Sequence, residues 1–251
     1  MKKIYSASRK ILADDVNMLR ELRTSVFLRE VQEAAIAHTE ALGAGRDKTL
    51  DRGALWIVVR LRAEIARMPE YDEKVVLRSW PGATMHVLFP RYYELATEEG
   101  ETLVRASAIW MLMDEKTRRM AFPEKYGVKL PAVRTGTELP LPEGVREEET
   151  DKVFVHPVRF SDVDINGHMN NSRYLDAVED ALGADFLSRN RLTDFEIEYK
   201  SEVKCGRRLT IAHSEKGGRI CCVGRTGRNV CFRFTAGYEE REKKYNDKTR
   251  I

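Results

Sequence analysis

Arg159-Phe160-Ser161-Asp162-Val163-Asp164-Ile165-Asn166-Gly167-His168-Met169-Asn170-Asn171-Ser172-Arg173-Tyr174 is the stretch from which the rest of the chain is read. It packs carboxylates, amides and an imidazole into a few residues. A strand-like run (Val153, Val155, Val158, Phe160) leads in. Tyr174, Leu175, Val178, Leu182 and Phe186 recur at helical spacing and predict a helix over 171–187. Asn170, Asn171 and Ser172 are all good N-cap residues, so the helix is expected to start among them. His168 then sits in the turn before a helix N-terminus, where free N–H groups and a partial positive charge can hold an oxyanion. Asp164, Asn166 and His168 fall two apart, which marks the turn as a candidate for chemistry rather than a merely polar turn.

Downstream, strands are expected at 194–203, 207–214, 219–225 and 229–239, with Gly217-Gly218 and Gly227 at the turns between the last three. The charged tail from Glu240 is expected to fray. Upstream, residues 123–150 hold Pro123, Pro131, Pro140 and Pro142 and close on Glu147-Glu148-Glu149, the signature of a partly extended linker. Before it the same plan occurs once already. A short strand over 3–11 precedes a helical stretch opened by Asp14 and Asp15, with Val16, Leu19, Leu22, Val26, Val31, Ala34, Ala35 and Leu42 near one stripe. Gly43 and Gly45 stop it. Strands follow over 53–68, 74–80, 87–97 and 103–114. One long helix followed by antiparallel strands, given twice, is an α+β layer architecture. A faint echo, Asp15-x-Asn17-x-Leu19 beside Asp164-x-Asn166-x-His168, accords with internal duplication, with leucine where the histidine stands.

Composition narrows the function classes. The chain has 251 residues, 33% charged and 42% hydrophobic, with a formal net charge of +3. That charge is too weak to argue for nucleic acid, and there is no zinc-finger spacing or glycine-rich phosphate loop. Met1-Lys2-Lys3 is followed by no apolar segment, and no apolar run approaches membrane-spanning length, so a cytoplasmic protein with no membrane partner is expected. The four cysteines, Cys205, Cys221, Cys222 and Cys231, form neither a disulfide framework nor a metal site.

The motif Asp164-x-Asn166-x-His168-x-Asn170-Asn171-x-x-Tyr174 resembles the catalytic segment of fatty acyl-ACP thioesterases of the plant and bacterial type. The family's later motif is matched by Ile197-Glu198-Tyr199-Lys200-Ser201-Glu202-Val203. The first half is similar to the family in Trp56-Ile57-Val58-Val59-Arg60, Glu64-Ile65, Trp80-Pro81 and Asp114-x-x-Thr117-Arg118-Arg119. The resemblance implies a tandem hotdog, each domain an antiparallel sheet wrapped around a central helix. Expected boundaries are an N-terminal domain over 1–122 carrying the acyl-chain pocket, a linker over 123–150, and a catalytic domain over 151–251. It implies hydrolysis of fatty acyl-ACP with acyl carrier protein as partner and neither metal nor cofactor. An acyl-CoA thioesterase is the nearest alternative, and a non-catalytic acyl-thioester-binding module the next. Both a monomer and a homodimer are admissible.

Thioester hydrolysis needs an activated water or carboxylate nucleophile and oxyanion stabilisation. Asp164 can accept a proton or orient a partner, Asn166 can position water or donate to oxygen, and His168 titrates near neutrality. The resemblance adds Glu202, and leaves open whether Asp164 or Glu202 activates water. Val203 stands where plant members often carry cysteine, so a cysteine nucleophile has no place there. On a regular strand Glu202 points away from the apolar set Phe195, Ile197, Tyr199, Ser201 and Val203; a bulge near Ser201, or a site on the strand's other face, resolves this. Trp56, Val58 and Asn171 are the expected substrate contacts. Lys204, Arg207 and Arg208, close after Glu202, are the expected carrier contacts.

Overall fold

A computed structural model describes residues 3–242. The first two residues and most of the charged tail, 243–251, lie outside the described residues. Contacts divide the chain into two compact units. One is built from 30–63 and 73–143 with the N-terminal strand, the other from 11–29, 64–72 and the chain from Gly144 onward.

The first half holds five antiparallel strands: β1 (Tyr5–Lys10), β2 (Ala54–Ile65), β3 (Lys74–Pro81), β4 (Leu88–Thr97) and β5 (Thr102–Asp114). They lie side by side in the order β1-β3-β4-β5-β2. The second half holds β6 (Lys152–Pro157), β7 (Asn190–Tyr199), β8 (Arg208–Lys216), β9 (Arg219–Thr226) and β10 (Asn229–Glu240). Their order, read from the edge strand β6, is β6-β8-β9-β10-β7, the same topology again. Each half thus repeats one plan, an antiparallel sheet with a helix, which is the expected double-hotdog arrangement.

The helices differ from the sequence expectation at their starts. α1 runs from Thr24 to Ala41, not from Asp14. Asp14 and Asp15 instead form a 3-10 turn, Ala13–Asp15. The reason is local. The Asp15 carboxylate accepts the Leu12 N–H at 2.9 Å, and the Asn17 side chain accepts those of Leu19 and Glu21 at 2.9 and 3.2 Å. These short polar side chains give the backbone an alternative to the helix. In the second half, α2 spans Arg173–Leu182 and α3 spans Ala184–Arg189, where one helix to Leu187 is expected. Gly183, at φ 82°, separates them.

α2 lies against β6 and β8. Its Tyr174, Leu175 and Val178 are buried, as are Phe195, Ile197, Ile211, Phe232 and Phe234 on the strands. Tyr174 meets Phe232 and Tyr199 edge-on, with ring centres 5.3 and 5.5 Å apart. Each such side chain contributes about 1.5–3 kcal/mol by leaving water. The first half buries Val31, Ala34 and Ala35 of α1 together with Val58, Leu61, Leu77, Leu95 and Ala106. It also buries a cation. Arg91 on β4 is 3% exposed and donates to His38 Nδ1 at 3.2 Å, Ser79 Oγ at 3.0 Å and Thr39 Oγ1 at 3.1 Å.

The proline-rich segment forms a 3-10 turn at Pro123–Tyr126 and is otherwise irregular. It is held in place on the first unit. Val133 donates its N–H to Pro81 at 2.9 Å, the Ser107 hydroxyl donates to Pro140 at 2.7 Å, and Arg60 donates to the Glu143 carbonyl at 2.8 Å. From Gly144 the chain holds to the second unit, where Glu147 pairs with Arg225 and Arg233. Among the described residues no helix is long and apolar enough to cross a membrane.

The duplication is sharper in the backbone than in the sequence. Asn17 N–H donates to the Glu21 carbonyl (2.9 Å) as Asp164 N–H does to that of His168 (3.0 Å). Arg23 N–H donates to Asp15 (3.0 Å) as Asn170 N–H does to Asp162 (2.8 Å). Leu22 N–H donates to Pro69 (2.8 Å) as Met169 N–H does to Val203 (2.7 Å). Arg20 at φ 66° matches Gly167 at φ 75°. The sequence echo is therefore corrected by two residues. Asp15 corresponds to Asp162, Asn17 to Asp164, Leu19 to Asn166 and Glu21 to His168.

Glu179 on α2 carries a pH dependence. Loss of hydration raises its pKa from 4.5 to about 7; the Thr24 hydrogen bond opposes, Asp176 adds, Arg23 opposes and Asp180 adds. A carboxyl whose folded pKa is raised stabilises fully below its unfolded value and loses that contribution as pH climbs through the folded value. Glu179→Gln is therefore expected to leave stability unchanged near pH 4 and to raise it by about 3 kcal/mol at pH 8. Urea unfolding at the two pH values checks this; an equal shift at both would refute it.

Candidate active site

The quoted stretch folds as a loop between a 3-10 turn, Phe160–Asp162, and α2. Asp162 builds its entrance. Its Oδ2 accepts the Arg159 N–H at 2.8 Å and lies 3.1 Å from His156 Nε2. Asp164 builds the turn itself. Its Oδ1 accepts the Asn166 N–H at 2.8 Å, and Asn170 Nδ2 donates to its Oδ2 at 3.5 Å. Gly167 supplies the left-handed residue that the turn requires, at φ 75°. Asn170 ends the loop by accepting the Ser172 N–H at 3.0 Å and the Ser172 hydroxyl at 2.8 Å. Ser172 is the N-cap residue, though its own side chain makes no capping bond.

The later motif reaches this loop through a bulge. β7 ends at Tyr199, short of the expected Val203. Lys200 and Ser201 both donate their N–H to the Cys231 carbonyl, at 2.8 and 3.2 Å. Two residues oppose one, so the alternation of faces shifts and Glu202 is re-aimed, as the parity argument requires. Met169 N–H then bonds the Val203 carbonyl at 2.7 Å, and His168 bridges Lys204. The result is that His168 Nε2 lies 3.2 Å from Glu202 Oε2. His168 is 19% exposed and Glu202 42%, so the pair is open to water on the carboxylate side.

The other candidates are placed as follows. Asn166 is exposed at the tip of the loop. Asn171 is half-buried, and its carbonyl accepts the Tyr199 hydroxyl at 3.0 Å. Lys204, Arg207 and Arg208 are exposed on the turn after Glu202, where Arg207 N–H donates to the Lys204 carbonyl at 3.2 Å. Trp56 and Val58 belong to the first unit. Trp56 Nε1 donates to the Ala44 carbonyl at 3.2 Å and its ring stands edge-on to Phe89 at 4.8 Å, while Val58 is buried. The structure thus brings His168, Glu202 and Lys204 together and sets Asp164 one turn away, engaged with the loop. Cys205 is exposed and the other three cysteines are buried, all as free thiols.

The sequence reading passes over three features. Asp162 organises the entrance, a role signalled by a carboxylate three residues after Arg159, at the third position of the turn that Arg159 caps. Phe160 and Ile165 stand 90% and 97% exposed beside the polar residues. Apolar side chains inside a polar motif are the signal for these, since a purely solvated turn has no use for them.

The sequence profile of the acyl-ACP thioesterase N-terminal domain matches residues 2–125, and that of the acyl-ACP thioesterase C-terminal domain matches residues 145–245. A palmitoyl-acyl carrier protein thioesterase of Cuphea hookeriana chloroplasts is 24% identical over 221 residues, covering 81% of this chain and 52% of the relative. The chain spans about half the length of the curated relatives it matches. Among solved structures, an acyl-ACP thioesterase from Bacteroides thetaiotaomicron superposes with a TM-score of 0.82 at 21% identity, covering 94% of this chain and 98% of that one. A 12:0-ACP thioesterase from Umbellularia californica gives 0.79 at 20% identity, covering 96% and 99%. Both share the fold.

The loop geometry rests on Gly167. A Cβ there meets nothing within 4 Å, so only backbone strain opposes substitution. Gly167→Ala is expected to cost about 1 kcal/mol in chemical denaturation, and Gly167→Asn less, because asparagine tolerates this conformation. Equal costs for the two would contradict the assignment.

Proposed function

The chain belongs to the acyl-ACP thioesterase family, and on that premise we propose that it hydrolyses fatty acyl-ACP to free fatty acid and holo-ACP. The observation that carries the reading is the 3.2 Å approach of His168 Nε2 to Glu202 Oε2 at a loop beside a helix N-terminus. Glu202 is the general base. It takes a proton from water, and the resulting hydroxide attacks the thioester carbonyl. The tetrahedral oxyanion is held by the side-chain amide of Asn166. Its collapse expels the pantetheine thiolate, which receives a proton from the His168–Glu202 pair. Water is consumed, and acid and thiol are released.

Asp164 is a positioning residue in this scheme, because one carboxylate oxygen is committed to the Asn166 N–H and the other faces Asn170. On this reading Glu202, rather than Asp164, activates water. The first half supplies the acyl-chain surface through Trp56 and Val58, and Asn171 contacts the arm. Lys204, Arg207 and Arg208 meet the acidic carrier. The enzyme works in the reducing cytosol, a setting that fits four free cysteines.

His168→Ala and Glu202→Gln are each expected to lower kcat by about 100-fold or more while the protein stays folded. Asp164→Asn keeps an oxygen acceptor for the turn and is expected to lose less than about tenfold. If Asp164→Asn loses as much as Glu202→Gln, the base is Asp164. Release of thiol and free fatty acid from acyl-ACP is the assay.

The carrier assignment has its own test. A basic cluster steers an acidic partner, and salt weakens the effect. kcat/KM for acyl-ACP is expected to exceed that for the matching acyl-CoA and to fall more steeply between low and physiological ionic strength. Arg207→Glu with Arg208→Glu should raise KM for acyl-ACP more than for acyl-CoA. Equal efficiencies with equal salt slopes leave the acyl-CoA reading standing instead.

A further inference from the structure

The loop of the first half that repeats the candidate site is not filled in. It borders a cavity of about 310 Å³, which is lined on one side by Asn17, Leu19 and Glu21 and on the other by Glu179, Ala184 and Ser188. Every residue lining it belongs to the second compact unit. The backbone frame around it is that of the candidate active site bond for bond: the turn closed by Asn17 and Glu21, the left-handed Arg20, and the Leu22–Pro69 tie. The Glu21–Glu70 bridge likewise repeats the bridge between His168 and Lys204.

The chemistry has been removed from this frame. Leu19 stands for Asn166, Glu21 for His168, and Met68, the residue before Pro69, for Glu202. Glu21 is no substitute base, because Arg241 grips both of its oxygens, at 2.5 and 2.7 Å. What remains is a cavity with hydrogen-bonding groups on its wall and no histidine–carboxylate pair. Its volume lies at the lower end of small-molecule sites, enough for a slender chain of amides with a long acyl group left outside it.

We propose that this cavity is a second, non-hydrolytic site for the pantetheine arm of an acyl thioester. The proposal rests on the reading of the second-half loop as a thioester site, since the shared frame is what assigns the ligand class. Asn17 Oδ1, the Ser188 hydroxyl proton and Asn190 Nδ2 are spent on the backbone. This leaves the Asn17 amide N–H to donate and Ser188 Oγ and Asn190 Oδ1 to accept from the arm's amide and hydroxyl groups, with the Glu179 carboxyl beside them. Met68, Leu187 and Leu192 supply apolar wall for its methylenes. A thioester held here lacks the histidine–carboxylate pair that stands at the second-half loop, and Glu21, in the histidine's place, is held by Arg241.

The test uses S-dodecyl-pantetheine and S-dodecyl-coenzyme A, thioethers that lack the scissile carbonyl, titrated calorimetrically into the full chain. Two equivalents are expected in the wild type. One is expected in Ala184→Trp and in Ser188→Trp, whose indoles fill the cavity; Ala184 is exposed, so its replacement leaves the core untouched. Thermal unfolding confirms that both variants fold. Two equivalents that persist in both variants overturn the proposal, as does a single equivalent in the wild type, which leaves the proposed activity intact. No binding at all overturns the thioester reading and the second site together. Equal affinities for the two thioethers assign recognition to the arm alone. A wild-type second equivalent seen only with the coenzyme A thioether overturns the assignment to the arm, because recognition then rests on the nucleotide.

Discussion

The hydrogen bond from Met169 N–H to the Val203 carbonyl, 2.7 Å long, is the constraint on which the candidate site depends. It joins two segments that the chain separates by two helices and a strand. His168 and Glu202 flank it, one on each segment. Attraction between a histidine and a half-exposed carboxylate is worth at most about 1 kcal/mol and does not hold two loops together. The backbone bond does, aided by the bridge to Lys204 and by the bulge at Lys200 and Ser201. The side chains are therefore presented to each other by main-chain geometry fixed beforehand, which is what a reacting group requires.

Because that geometry is coded in main-chain bonds, it survives replacement of the side chains. The first half shows this directly. Asparagine, leucine and glutamate stand where aspartate, asparagine and histidine stand in the second, yet the turn, its closing bonds and its tie to the following segment persist. Even the left-handed residue is kept, by Arg20 in place of glycine, at a cost of about 1 kcal/mol. An element kept against its own local strain is being held by its surroundings.

Much of this was legible in the residues, and what was not has physical causes. The strands and the α+β plan follow from two-residue alternation and turn chemistry, and nearly all of them stand within a few residues of their expected ends. The sequence carries α1 too far towards the N-terminus because Val16 and Leu19 continue its stripe. Periodicity does not register that Asp15 and Asn17 turn the backbone with their side chains. The echo between halves falls two residues off because like letters recur there, whereas the true correspondence lies in bonds between unlike residues. The bulge could be inferred only as a conflict of parity at Glu202. The pairing of Arg241 with Glu21 lies beyond pattern altogether, since the two are 220 residues apart and nothing local announces it.

The buried Arg91 has a consequence for how the two halves find their own partners during folding. Chains that contain one topology twice risk pairing a strand with the wrong copy of its neighbour, a characteristic failure of repeated architectures. Arg91 keeps its charge at any pH a protein survives, and burial even disfavours that charged form. It is accommodated only where His38, Thr39 and Ser79 face it with acceptors. A β4 strand placed in the second half would meet buried polar groups of different kind and position, Glu198, His213 and Ser214, and a guanidinium that they fail to face is costly to bury. The acceptors His38, Thr39 and Ser79 thus tie β4 to its own half by a requirement that apolar packing alone does not impose.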